Sequence, residues 1–135
     1  MTHANHRAGV ITEPGGAHLP NYFSSLAQTE EIASVALGDP SGESESLARQ
    51  TPGAELTAVY KDAGEMLRRE KPKLALVTME AVHSPPAIEA ALDAGCHVLS
   101  EKPGYGRLED FERLNRKAVA RGLPGRCCLS PLAVR

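Results

Sequence analysis

The 135-residue chain has no tryptophan, two phenylalanines and three tyrosines. A core without large rings must be filled by Val, Leu, Ile and Ala, which suits a parallel sheet covered on both faces. No apolar run approaches the ~20 residues that a membrane-spanning helix needs. The opening residues, Met-Thr-His-Ala-Asn-His-Arg, lack the apolar stretch of a secretion signal. Cysteine is scarce: Cys96 stands alone, and Cys127 and Cys128 are adjacent. An odd count without metal-ligand spacing is poor material for a disulfide framework, so a reducing cytoplasm is the expected setting. Charge of one sign is also missing. Against 15 Lys and Arg stand 17 Asp and Glu, a net of −2, which gives no case for nucleic acid or an anionic membrane as partner. The length has room for one domain of ordinary size, roughly 100–150 residues.

What is present is an alternation of short apolar runs and helical patterns. Residues 7–12 form an apolar run that Glu13-Pro14-Gly15-Gly16 breaks, and 18–28 read as a helix with Pro20 in its first turn. Residues 32–38 are a second strand, ended by Asp39-Pro40-Ser41-Gly42, and a short helix over about 43–49 stops before Pro52-Gly53. Residues 56–60 are a weak third strand. Asp62 is placed to cap a helix running to about 69, which Pro72 cannot continue. Residues 73–79 are a near-continuous apolar strand. Ser84 is expected to cap a helix with Pro85 and Pro86 in its first turn, an apolar stripe of Ile88, Ala91 and Leu92, and Gly95 at its end. Residues 97–100 are a fifth strand. Leu108, Phe111, Leu114 and Ala118 mark a last amphipathic helix, ended by Gly122. The pattern predicts an α/β fold, a doubly wound parallel sheet of Rossmann-like type with right-handed crossovers, over residues 1–123. Residues 124–135 are an off-pattern tail, where a sixth strand is expected but glycine, arginine and proline interrupt it.

Ligands of open α/β sheets sit at the carboxyl ends of the strands, so charged and glycine-rich residues there are the candidates. A bound dinucleotide needs a first turn that lets its pyrophosphate touch a helix N-terminus. The usual G-x-G-x-x-G is replaced here by Thr12-Glu13-Pro14-Gly15-Gly16-Ala17-His18, which is shorter and carries an acid. Gly15 and Gly16 allow close backbone approach, whereas Glu13 repels phosphate unless it points away; a plain strand-to-helix turn explains the same residues equally well. Asp39 follows the second strand, where a carboxylate accepts hydrogen bonds from adenosine ribose hydroxyls and disfavours a 2′-phosphate, preferring NAD to NADP. The same residues also make an ordinary turn. Lys102 ends the fifth strand. Its ammonium is expected to hydrogen-bond a reacting hydroxyl or the nicotinamide ribose and to stabilise alkoxide-like charge, although a solvated lysine after a strand is the residue's usual fate. Glu101 is expected to orient it through a charge-assisted hydrogen bond, and Pro103 to fix the backbone after it. The histidines show no metal constellation, and no serine has a G-x-S-x-G setting.

The run from His83 to Pro103, together with Asp39, the Tyr60-Lys61-Asp62 helix start and Ala94-Gly95-Cys96-His97-Val98, resembles the cofactor domain of the Gfo/Idh/MocA family of NAD(P)-dependent sugar and polyol oxidoreductases. In that family the fifth strand ends in Glu-Lys-Pro, matched by Glu101, Lys102 and Pro103. The resemblance spans about residues 7–122. It implies a nicotinamide dinucleotide held by Thr12, Gly15, Gly16, Asp39, His83, Glu101, Lys102 and Pro103, with Lys102 catalytic in hydride transfer on a sugar, polyol or related hydroxy compound. A His recurs in the family where His83 stands, but Met79-Glu80-Ala81-Val82 replaces the usual preceding turn. A lone His at a helix start also serves as a cap or packing residue. The family further implies a second, α+β domain carrying the substrate pocket and the oligomer interface. The expectation is therefore a nucleotide-binding half, incomplete as a catalyst, whether a fragment, a divergent end or a separate module. Two alternatives come from other classes. A phosphorelay receiver fits Thr78, Lys102 and Pro103, but offers only Glu13 after the first strand and puts Asp62 at a helix cap. A non-catalytic dinucleotide-binding module is the other, and fold-level analogy alone does not choose between them.

Overall fold

The computed structural model describes residues 5–51, 55–103 and 105–123, and the backbone of 126–127. In chain order the elements are β1 (His6–Thr12), α1 (Leu19–Gln28), β2 (Ile32–Gly38), α2 (Glu45–Gln50), β3 (Leu56–Tyr60), α3 (Ala63–Glu70), β4 (Leu74–Thr78), α4 (Ser84–Asp93), β5 (His97–Ser100), α5 (Leu108–Ala120) and β6 (Arg126–Cys127). All strands pair in parallel in one sheet of order β3-β2-β1-β4-β5-β6. The last strand is two residues long, with Arg126 opposite Leu99 and Cys127 opposite Ser100. The other tail residues, 124–125 and 128–135, lie outside the described residues.

Side chains of a strand alternate between faces, and β1 shows what that does. Ala8 and Val10 join Phe23, Leu26, Val35 and Leu37 in a core on the side of α1 and α2. Ile11 points the other way, into Met66, Val77, Ile88, Leu92 and Leu114 on the side of α3, α4 and α5. Both layers are mainly aliphatic. Phe23 is the one aromatic side chain buried in them among the described residues.

Helix starts depart from the expected pattern in two places. The second helix begins at Glu45 rather than near 43, because Gly42 takes a left-handed φ of +73° and the Ser44 amide is held by the Asp39 carboxylate. Ser84 does not cap α4. It is the first helical residue, and its hydroxyl donates back to the carbonyls of Met79 and Glu80. By contrast Asp62 caps α3 as expected, accepting from the Gly64 and Glu65 amides at 3.1 and 3.2 Å.

The strand order decides between two readings of the same pattern. A receiver-type sheet runs 2-1-3-4-5 and sets the third strand beside the first. Here β2 separates β3 from β1, roughly 10 Å across two strand spacings. The acid after β3 is occupied as a helix cap, so the receiver reading falls. What the order does create is a switch point: the chain leaves β1 toward β2 and β3 on one side and returns to β4, β5 and β6 on the other. The loops after β1 and β4 part there, at the strands' carboxyl ends.

Candidate functional site

Thr12 and Thr78 are register partners at the ends of β1 and β4, and both are fully buried. The Thr12 hydroxyl donates to the Thr78 carbonyl at 3.0 Å, and the Thr78 hydroxyl donates to the Ala17 carbonyl at 2.8 Å. Together they tie the two strand ends to each other and draw the β1–α1 loop down onto β4. That closeness is why residue 16 is glycine: a Cβ there would stand 2.2 Å from Thr12 Oγ1 and 2.9 Å from the Thr78 carbonyl oxygen. Gly16 thus serves loop-to-strand packing, as one glycine of a dinucleotide fingerprint does. Gly15 has a φ of +82° and nothing within 4 Å of where its Cβ would be, so this corner of the loop faces open space. Thr12, expected among cofactor-binding residues, has its hydroxyl committed inside the fold.

Glu13 is drawn to the opposite side of the crevice. Its Oε1 accepts from the Glu80 amide at 2.9 Å, and His83 Nδ1 lies 2.8 Å from Oε2 and 3.0 Å from Oε1. Burial pushes the Glu13 pKa up, but the Glu80 amide and His83 together outweigh it and hold the carboxyl below its ordinary value. The His83 pKa is raised, first by the hydrogen bond to Glu13 and then by its charge. The two directions agree on an ionised pair. His83 occupies the N-cap position of α4, but its side chain, 54% exposed, makes no capping bond and turns to Glu13. Beside it, the Glu80 carboxylate has no hydrogen bond or ion pair with any described residue. Ligand atoms of Glu13, Glu80 and His83 all lie within 4.8 Å of one another, a grouping that sequence spacing did not disclose.

At the end of β2, Asp39 is wholly buried. Its Oδ1 accepts from the Ser41 amide at 2.9 Å and the Ser41 hydroxyl at 2.7 Å, and its Oδ2 from the Ser44 amide at 3.0 Å. Burial raises its pKa, and the bonds from Ser41 and Ser44 overcome that and leave it lowered. The carboxylate expected to face a ribose faces its own loop instead, because that loop offers it two amides and a hydroxyl. The anion nonetheless stands at the end of β2.

At the end of β5, the Glu101 amide donates to the Val77 carbonyl at 2.7 Å, which continues the sheet past Ser100. Glu101 is 7% exposed, and its carboxylate bonds to no described residue. The expected hydrogen bond from the Lys102 ammonium to Glu101 is not formed: Lys102 turns out to solvent while Glu101 turns in. Lys102 is exposed, with no hydrogen bond or ion pair to a described residue. The Lys102–Pro103 peptide is cis. A cavity of about 60 Å³ lies beside β5 under α4 and α5, lined by Ile88, Leu92, Val98 and Phe111 among others. It is too small for a dinucleotide.

Residues 8–124 match the oxidoreductase family with an NAD-binding Rossmann fold, Gfo/Idh/MocA, and the chain belongs to that family. No curated protein sequence matches it. Among solved structures, scyllo-inositol dehydrogenase from Lactobacillus casei, with bound NAD(H) and scyllo-inositol, superposes with a TM-score of 0.71 at 21% identity. The match covers 87% of this chain and 34% of that one. The WlbA dehydrogenase from Bordetella pertussis, in complex with NADH and UDP-GlcNAcA, gives 0.74 at 23% identity, covering 91% of this chain and 36% of that one. At such identities the likeness shows the fold. The chain spans about a third of the length of either structure. No helix among the described residues is long and apolar enough to cross a membrane.

Proposed function

We propose that the chain is the nucleotide-binding half of an NAD(P)-dependent oxidoreductase that transfers a hydride to or from a sugar, polyol or related hydroxy compound, with NAD preferred to NADP. One observation carries the reading. The sheet order opens a crevice between β1 and β4, and Lys102, a cation with no partner among the described residues, stands at the end of the adjacent β5. The residues present fit a dinucleotide in part. Gly15 leaves the loop corner open, and Glu13 is pulled toward the β4–α4 turn by the Glu80 amide and His83. The buried anion of Asp39 disfavours a second phosphate near the end of β2.

When bound, the nicotinamide supplies the hydride acceptor. Loss of hydride would leave negative charge on the carbinol oxygen, and in this reading Lys102 would donate a hydrogen bond to it. The Lys102 ammonium donates and does not accept, so the hydroxyl proton leaves to another base. Holding the carbon against the ring at near-attack distance is worth ~7–11 kcal/mol of barrier, and these residues supply one wall for it. A polypeptide of these residues alone is accordingly proposed to bind cofactor while turning over slowly.

Thermal melting with NAD(H) or NADP(H), in the parent and in Lys102→Ala, tests the reading. A dinucleotide at one hundred times its Kd stabilises by about 2.7 kcal/mol and raises Tm visibly. Unchanged melting with millimolar amounts of every dinucleotide refutes it. A panel of polyols and sugars then asks whether residual turnover depends on Lys102.

A further inference from the structure

We propose that Glu13, Glu80 and His83 form a binding site for a first-row divalent cation of the Zn²⁺ or Co²⁺ type, set at the switch point between β1 and β4. The donors come from two loops that the fold holds side by side. Glu13 follows Thr12, whose hydroxyl ties β1 to β4. The Glu80 carbonyl accepts from the His83 and Ser84 amides, both at 2.9 Å, and from the buried Ser84 hydroxyl at 3.0 Å, which sets the turn bearing the other two donors.

The ligand atoms lie within 4.8 Å of one another. Around a tetrahedral Zn²⁺ with bonds of about 2.0–2.2 Å, neighbouring ligands stand roughly 3.3–3.6 Å apart. Closing that difference needs side-chain movement of about an ångström, and the Glu80 carboxylate has no hydrogen bond to a described residue to give up. Two carboxylates and a neutral imidazole carry a charge of −2, which one divalent ion balances. On binding, the ion takes the place of the proton between His83 Nδ1 and Glu13, and that proton leaves to solvent. Mixed oxygen and imidazole donors suit this class, whereas Ca²⁺ asks for six to eight oxygens. The ion would set positive charge where the loop carries an acid in place of G-x-G-x-x-G, and so draw a pyrophosphate into the crevice; this consequence rests on the dinucleotide reading.

The full chain, stripped with EDTA and then freed of chelator, is titrated with Co²⁺ by visible absorption and with Zn²⁺ by calorimetry, without dinucleotide. One ion per chain is expected. Glu13→Gln and His83→Asn should each weaken binding at least about tenfold, the loss usual when a ligand shell is damaged. Replacing Cys127 and Cys128 by Ser should change nothing, which separates this site from thiol binding in the tail. Melting in EDTA checks that each variant folds. No saturable binding, or binding that Glu13→Gln and His83→Asn leave unmoved, overturns the proposal. NAD(H) titrations in EDTA test the cofactor reading separately, so absent cation binding beside intact NAD(H) binding removes this inference alone.

Discussion

Replacing Asp39 by Asn separates two jobs that the end of β2 can hold. The carboxylate is fully buried and accepts from the Ser41 amide, the Ser41 hydroxyl and the Ser44 amide at 2.7–3.0 Å. Asn keeps the shape but turns one acceptor into an NH₂ donor, which meets another donor whichever way the amide is flipped. Hydrogen bonds to a charged group contribute about 1.5–3 kcal/mol, and a buried donor left unpaired costs about 1–3 kcal/mol. The bonds share one loop and will not add, so a loss of about 2–4 kcal/mol is expected, against a total of roughly 5–15 kcal/mol for a domain. For a chain of this size that is roughly 3–6 °C of Tm per kcal/mol. Urea melts of parent and variant measure it. The acid arm of the same experiment has a definite sign. The folded pKa lies below the unfolded one, so the stabilisation is present above the unfolded value and is lost as pH falls through the folded value. The parent should therefore weaken in acid more steeply than Asp39→Asn. A variant with parental stability, but with tenfold weaker NAD(H) binding, would show that the carboxylate serves the ribose and that its loop does not need it.

Three further outcomes follow from packing and capping. Gly16→Ala should destabilise by about 1–3 kcal/mol, because its Cβ would press on Thr12 Oγ1 and the Thr78 carbonyl; an unshifted urea midpoint would show that the loop can lift without cost. Asp62→Ala removes the acceptor for the Gly64 and Glu65 amides and should lower stability by about 1 kcal/mol in thermal melts, with Asp62→Asn recovering most of it. Burial pushes the Cys96 thiol up to about 11, and its Sγ sits 3.1 Å from the Pro72 carbonyl oxygen. In a chain with Cys127 and Cys128 replaced by Ser, a thiol reagent at pH 8 should modify Cys96 only as fast as the protein opens. Rapid labelling in native buffer would contradict that burial.

The strands were legible because their apolar runs are short and bounded by turn residues. β2, β3 and β5 fall where alternation and flanking Gly, Pro and Asp put them. The helix ends were less so, each for a local reason. At α2 a buried carboxylate holds the loop through Ser44 and delays the helix. At α3 the stop is Lys71 in a left-handed conformation with φ of 47°, a place where sequence reasoning looks for glycine or for Pro72 beyond it. At α4 the serine that resembles a cap bonds backward to the β4 turn. Polar side chains choose among several nearby backbone partners, and their identity alone does not say which.

The candidate residues' positions at strand ends were legible and their contacts were not, and the Glu13–His83 pair shows why. The residues are seventy positions apart, and neither belongs to a recognisable pair in sequence. Their meeting follows from one fact, that β1 lies against β4 with Thr12 opposite Thr78, so the loops leaving those strands must run side by side. Once that register is known, an acid just after β1 and a histidine just after β4 are natural partners. The pair does little for the fold: with His83 half exposed, solvent screens the contact, and the bonds of the buried Thr12 and Thr78 beside it hold the loops more firmly. Its consequence is electrostatic. It fixes a carboxylate on the β4 side of the crevice and, with Glu80 adjacent, sets the charge there.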